Sequence, residues 1–473
     1  MRLSGMVMRF AVSAAAFATG PTLAVSPHTP GPAEAAEARR LPDLDAQLVA
    51  GSAQLEGADD LLIVDPEVAP TSGHCLTWRC CPPGADPAGA GYPTVTVNGF
   101  FHADAIFFAQ DAANAAVVGD AQDVADFRRA RLSAKGEVAE NVSYFMEYDF
   151  AFPGRPSFMD VYVDVADLAS IGNVRIGQFR TPFGMDAMTS VKELTFLERA
   201  LPTAFAPFRQ IGIELYDTAL DERATWAVAG YRFPTNVFGN ASGDSGYGCA
   251  TRETLLLYDG PCNHTLHLGG GFTYNQPSGN SAILRSTPEV GFSQLDFNST
   301  VFPVPFFVDT GTLAAENFQV MNVELAGSRG PAVAQAEFYF ATIDQLNGTQ
   351  ARFHGAYAQV SYVLTGEYRP YLKNQGVYGR FTPHTNYGKA GIGGWEIAGR
   401  YSYLDLNDAD LAPVGAPPGF AAGGALQDLT FGLNWRLNAN TEFQFNYIHA
   451  FLDRPAGDNS DADILAARAQ VDF

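Results

Sequence analysis

Arg129, Arg131 and Lys135 share one parity, with Ser133 between them, and the other parity carries Ala130, Leu132, Ala134 and Val138. Residues two apart lie on the same face of a β-strand. The spacing therefore predicts a strand with a basic row on one face and an apolar face on the other. Cations in series attract anions, and several shallow sites let an ion move on rather than stick. A second basic group, Lys192, Arg199 and Arg209, lies with Arg180 in a segment that also holds Phe183, Phe196, Leu197 and Phe205. That segment, 180–209, is too long for a turn. An exposed loop has little use for so many large apolar side chains, whereas a loop folded inside a barrel needs them to pack against the wall. We read it as a constriction loop; an extracellular loop or a subunit contact is the alternative. Arg400, Arg436 and Arg468 fall on the polar faces of later strands. The candidate anion path is thus Arg129, Arg131, Lys135, Arg180, Lys192, Arg199, Arg209, Arg400 and Arg436.

The same parity argument opposes these cations with acids. Glu147 and Asp149 face inward on the next strand, and Asp160, Tyr162 and Asp164 on the one after. Arg129 and Arg131 could pair with them across strands, which where solvated is worth only fractions of a kcal/mol. Four outcomes stay open: an anion path, a mixed-charge pore with a transverse field and weak or cation-leaning selectivity, a channel for a sugar or another specific solute, or a structural barrel without an open path.

Catalysis has no comparable signal. The histidines are scattered, and there is no Walker loop, no His-Glu-x-x-His and no convincing carboxylate pair, so the reading is a non-enzyme without cofactor or metal. The cysteines fall in two clusters, Cys75, Cys80 and Cys81, then Cys249 and Cys262. An exported chain meets an oxidising compartment, so a Cys249–Cys262 loop disulfide is the expected pairing. A zinc site from Cys249, Cys262, His264 and His267 is the rival, but its spacing matches no common zinc motif.

These groups need strands to hold them. Leu465, Ala467, Ala469, Val471 and Phe473 alternate with Ala466, Arg468, Gln470 and Asp472. Segments 441–451, 428–437, 395–403 and 141–150 repeat the pattern, with aromatic and aliphatic residues on one face and polar ones on the other. Lipid-facing and lumen-facing residues alternate in this way in outer-membrane barrels. Asn438 to Asn440 makes a short turn, whereas 234–264 and 405–427 read as long loops. No apolar run after the N-terminus reaches the ~18–20 residues of a transmembrane helix. With 12% aromatic and only 17% charged residues, the chain reads as all-β: a transmembrane antiparallel β-barrel of about 16 strands, with a lumen-folded constriction loop. A large soluble propeller or sandwich is the alternative, and it would waste the outward aromatics.

Arg2 and Arg9 followed by an apolar stretch predict a secretory signal within 1–36, with an uncertain cleavage site. Residues 37–91, rich in Ala, Pro, Gly and Asp, read as a periplasmic extension, and 92–473 as the barrel. The net charge of −22 argues against a nucleic-acid partner and suits acidic loops at a cell surface.

Four stretches resemble the phosphate-selective porin O/P family. They are Phe127-Arg-Arg-Ala-Arg-Leu-Ser-Ala-Lys-Gly136; Ile176-Gly-Gln-Phe-Arg-Thr-Pro-Phe-Gly184; and Leu197-Glu-Arg-Ala-Leu-Pro202 with Arg209-Gln-Ile-Gly212. The fourth is a dispersed set from Tyr362 to Asn438 that includes Arg400-Tyr-Ser402 and Gly432-Leu-Asn-Trp-Arg-Leu-Asn438. The resemblance implies a sixteen-stranded, trimeric porin in the outer membrane of a Gram-negative-type bacterium. Its third loop would narrow the lumen, and small anions such as phosphate would pass along arginine and lysine rows. The long N-terminal extension and the acidic balance depart from that pattern.

Overall fold

The computed structural model describes residues 91–151, 155–169, 171–291, 304–388, 390–416, 420–454 and 459–473. The expected signal segment, the extension 37–91 up to residue 90, and Cys75, Cys80 and Cys81 lie outside the described residues. Within them sixteen antiparallel strands close on themselves. The barrel strands are β1 (Thr96–Gln110), β2 (Val124–Ala139), β3 (Val142–Asp149), β4 (Ser157–Leu168), β5 (Gly172–Arg180), β6 (Arg209–Ala219), β7 (Ala224–Arg232) and β8 (Tyr247–Gly260). They continue with β9 (His264–Gln276), β10 (Leu313–Arg329), β11 (Ala332–Gln345), β12 (Gln350–Val363), β13 (Gly394–Asp405), β14 (Ala425–Asn438), β15 (Thr441–Asp453) and β16 (Ser460–Asp472). Each pairs with its sequence neighbour, and β1 pairs with β16 from Phe100 opposite Asp472 to Gln110 opposite Ala462.

The alternation read from the sequence sets the faces. On β15, Phe445, Tyr447 and Phe451 are exposed on the outer wall, while Gln444 and Asn446 are buried inside. Closure removes the free sheet edges, so every ladder group finds a partner without water. No helix among the described residues is long and apolar enough to cross a membrane; the strands do the crossing.

One expected loop was misread. Segment 234–264 contains β8, a fourteen-residue strand. Its inward face (Ala250, Arg252, Thr254, Leu256) and its outward face (Cys249, Thr251, Glu253, Leu255) are equally mixed, so alternation gives no contrast there. This corrects the disulfide reading. Cys249 pairs with Tyr274 near one end of the β8–β9 hairpin, and Cys262 sits in the turn at the other end. At about 3.3 Å of rise per residue, the run of strand from Cys249 to Gly260 sets the two cysteines far beyond disulfide reach. Both thiols are free and exposed.

Connections after odd-numbered strands form one rim and those after even-numbered strands the other. The second rim has tight turns, as in Asn438 to Asn440, with one exception: 364–393. That segment folds back into the barrel and carries a small hairpin, Tyr371–Leu372 with Val377–Tyr378. From the first rim, 181–208 enters the lumen with a short helix α1 (Met185–Met188) and a 3-10 turn (Leu201–Phe205). Phe183, Phe196, Leu197 and Phe205 are all at most 1% exposed, which bears out the constriction loop read from them. The described parts of 277–312 also turn inward, where Leu284, Phe307 and Val308 join a core with Phe205 and Phe208.

Candidate functional site

The site is the lumen, built from the inward faces of the strands and three inserted segments. β2 carries the predicted row, and Arg129 and Arg131 point inward. The ladder slips between His102 and Ala103, so that Arg129 and Phe127 take consecutive partners and Arg128 is bulged out of register. A bulge lets two successive side chains share a face. Arg128 therefore joins Arg129 in the lumen, although simple parity sends it outward.

The two arginines and Arg468 of β16 converge on Glu198 of the constriction loop. Arg128 Nε lies 3.1 Å from Glu198 Oε1, Arg129 Nη2 2.9 Å from Oε2, and Arg468 Nη2 2.9 Å from Oε1. Arg468 also grips Asp104 of β1 in a two-pronged pair at 2.8 and 2.7 Å. Burial opposes ionisation of Glu198, but the three guanidiniums outweigh it and hold the carboxyl well below the usual carboxylate range.

The other predicted cations are also engaged. Arg131 pairs with Asp149 at 2.8 Å and reaches Glu147 at 3.5 Å, the cross-strand pairing that the sequence left open. Arg209 pairs with Asp160 at 2.9 Å, and Arg436 with Glu442 at 2.7 Å. Arg400 meets Glu289 of the 277–312 segment at 2.9 Å through Nε and donates to the carbonyl of Glu198 at 2.9 Å. Burial, only partly offset by Arg400, pushes the Glu289 carboxyl up. Arg180 and Arg199 brace the constriction loop itself. Arg180 donates to the carbonyls of Ala187 and Thr189, and Arg199 to those of Asp186 and Thr189.

The two lysines differ. Lys135 and Lys192 are only partly buried, whereas the seven nominated arginines are each at most 8% exposed. Lys192 Nζ lies 5.5 Å from the centre of the Phe100 ring, and Arg131 Cζ lies 5.5 Å from the same ring. The strand row and the loop cation thus meet at one aromatic residue.

Segment 364–393 adds a group that the sequence reading missed. Arg369 forms a two-pronged pair with Glu396 at 2.7 and 2.7 Å and donates to the carbonyl of Glu193 in the constriction loop at 2.7 Å. Arg252 of β8 pairs with Glu324 at 2.8 Å and donates to the carbonyls of Gln375 and Gly376 at 2.7 and 2.9 Å. His267 bridges Tyr371 and Glu324 at 2.7 and 3.2 Å. His267, considered as a zinc ligand, is therefore part of the seat of this insert. On β9 it is buried inside the barrel, and nothing in the sequence announced the segment it meets.

The arrangement is a lumen narrowed from both rims, with charges of both signs. It suits selective diffusion of small solutes. Two curated relatives are similar to it in sequence. Porin O of Pseudomonas aeruginosa is 22% identical over 365 residues, 73% of this chain and 81% of that one. An uncharacterized protein of Caulobacter vibrioides is 25% identical over 361 residues, 74% of this chain and 68% of that one. Among solved structures, an anion-selective porin from Comamonas acidovorans aligns with a TM-score of 0.49 at 11% identity, covering 80% of this chain and 100% of that one. The family model described as phosphate-selective porin O and P matches residues 95–473. The chain therefore belongs to the phosphate-selective porin O and P family and is a multi-pass porin of the Gram-negative outer membrane.

Proposed function

We propose that this porin passes small anions by passive diffusion, with phosphate the leading solute, and that solutes meet Lys135 and Lys192 rather than the arginines. The observation that carries this is exposure. The nominated arginines are buried against carboxylates or main-chain carbonyls, whereas both lysines keep solvent access along one wall. A buried arginine is walled off from a passing ion, whereas a partly exposed ammonium lies within its reach. The family description, phosphate-selective porin O and P, supports the anion reading.

Reconstitution in a planar bilayer under a salt gradient tests it. The reversal potential should fall on the anion side, and millimolar phosphate should reduce the chloride current. K135Q/K192Q should lower the anion-to-cation permeability ratio about threefold, an effect that fades in high salt as the lysine field is screened. A cation-sided reversal in the unmodified protein would overturn the reading. It would favour a weakly cation-leaning pore, to which Arg131 held between Asp149 and Glu147 points.

We also propose a homotrimer. On the outer wall Ala103 stands opposite Ala469 and Ala105 opposite Ala467, with Ala130 and Ala134 on the adjoining strand. This small-residue patch lets a neighbouring barrel approach closely, whereas the aromatic outer faces of β13 to β15 suit lipid. Native mass in detergent should give three copies; a stable monomer would overturn the proposal.

A further inference from the structure

We infer that Glu337 on β11 is the latch that sets the position of the constriction loop, and through it the width of the path. Its buried carboxylate collects donors from both the loop and the wall. The amides of Met185 and Asp186 donate to Oε1 and Oε2 at 2.8 and 2.8 Å. From the wall, Asn322 Nδ2 and the Tyr339 hydroxyl donate to Oε1 at 2.9 and 3.0 Å, and the Tyr357 hydroxyl donates to Oε2 at 2.5 Å.

The loop backbone comes unusually close to the wall at this point. Gly184 has a φ of 73°, and a Cβ there would fall 2.5 Å from the Tyr339 hydroxyl and 3.3 Å from Glu337 Oε1. Only glycine takes that conformation in that space at no cost. The Met185 and Asp186 amides open α1, so they have no acceptor within the helix and depend on the wall. Further along the loop the wall mainly donates: Asn434 to the carbonyl of Thr195 at 2.8 Å, Gln444 to that of Leu194 at 3.3 Å, and Gln470 to that of Lys192 at 3.4 Å. Each of these is a single bond, whereas Glu337 takes two loop amides at once and holds the loop near its start, upstream of the Glu198 ion pairs. The inference stands whichever ion the path prefers.

E337Q keeps the volume but replaces one acceptor by a donor, so one loop amide loses its partner. The folded, heat-modifiable E337Q barrel should show a single-channel conductance raised on the order of twofold, with added substates, because a wider path conducts more. E337A should move the same way. Y339F/Y357F removes two wall donors but leaves both loop amides bonded, and it should conduct like the unmodified protein. If it instead raises conductance as much as E337Q, the carboxylate is merely structural and the inference fails. Unchanged conductance in folded E337Q and E337A would also overturn it. Hydrogen exchange of the unmodified protein adds a test that needs no variant to fold: the Met185 and Asp186 amides should exchange as slowly as barrel-strand amides. Fast exchange there would overturn the latch.

Discussion

Replacing Glu198 by Ala should destabilise the folded barrel by about 3–5 kcal/mol, the usual cost of stripping one partner from a buried ion pair. Arg128, Arg129 and Arg468 would lose the carboxylate they share, while Asp104 keeps its pair with Arg468. The measurement is the temperature at which the heat-modifiable gel band shifts, read at a fixed heating rate because such barrels unfold irreversibly. An unchanged temperature would mean that water solvates the three guanidiniums. Acid should act on the same carboxylate. Its folded-state pKa is held well below the ordinary 4.5, so its contribution is fully present above that ordinary value. It is lost as pH falls through the folded-state value. E198Q should lack this loss, and the stability of the unmodified protein should drop more steeply in strong acid.

The second large effect is expected at Arg369. R369M would leave Glu396, fully buried in the wall, with Asn434 but no cation. The expected cost is again about 3–5 kcal/mol. Loss of the contact to Glu193 should also loosen 364–393 from the constriction loop and raise conductance. R369M/E396Q removes both charges and should recover much of the stability, since a neutralised pair no longer strands a charge. Conductance should stay raised in the double variant, because the bond from Arg369 to the Glu193 carbonyl is still missing. A double variant as unstable as R369M would show that packing, not charge, seats the segment.

The barrel was legible because lipid on one side and water on the other impose a period of two, as on β13 to β16. The constriction loop was legible because Phe183, Phe196, Leu197 and Phe205 have no place in a solvated loop. β8 escaped because its two faces are equally mixed, and the disulfide reading fell with it. Arg128 escaped because a bulge breaks parity, and a bulge leaves no mark in residue types. The partners of Arg129 and Arg400 escaped for a different reason. Parity says which face a side chain takes, but Glu198 and Glu289 come from loops, and contacts of that sequence separation have no local signature. The insert at 364–393 was hidden by the rule that turns on its rim are short.

The pairing of β1 with β16 bears on how the barrel is made. These strands lie at opposite ends of the barrel sequence, so their ladder has the highest closure entropy of any in the sheet. Until it forms, an assembling chain carries two open edges, each a template for another copy. The lumen inserts add a condition. Gln470 and Arg468 of β16 donate to the carbonyls of Lys192 and Leu197, so the last strand seats on the constriction loop as well as on β1. The loop can therefore serve as an internal mould for the seam, making folding of the channel's interior and sealing of its wall one cooperative event.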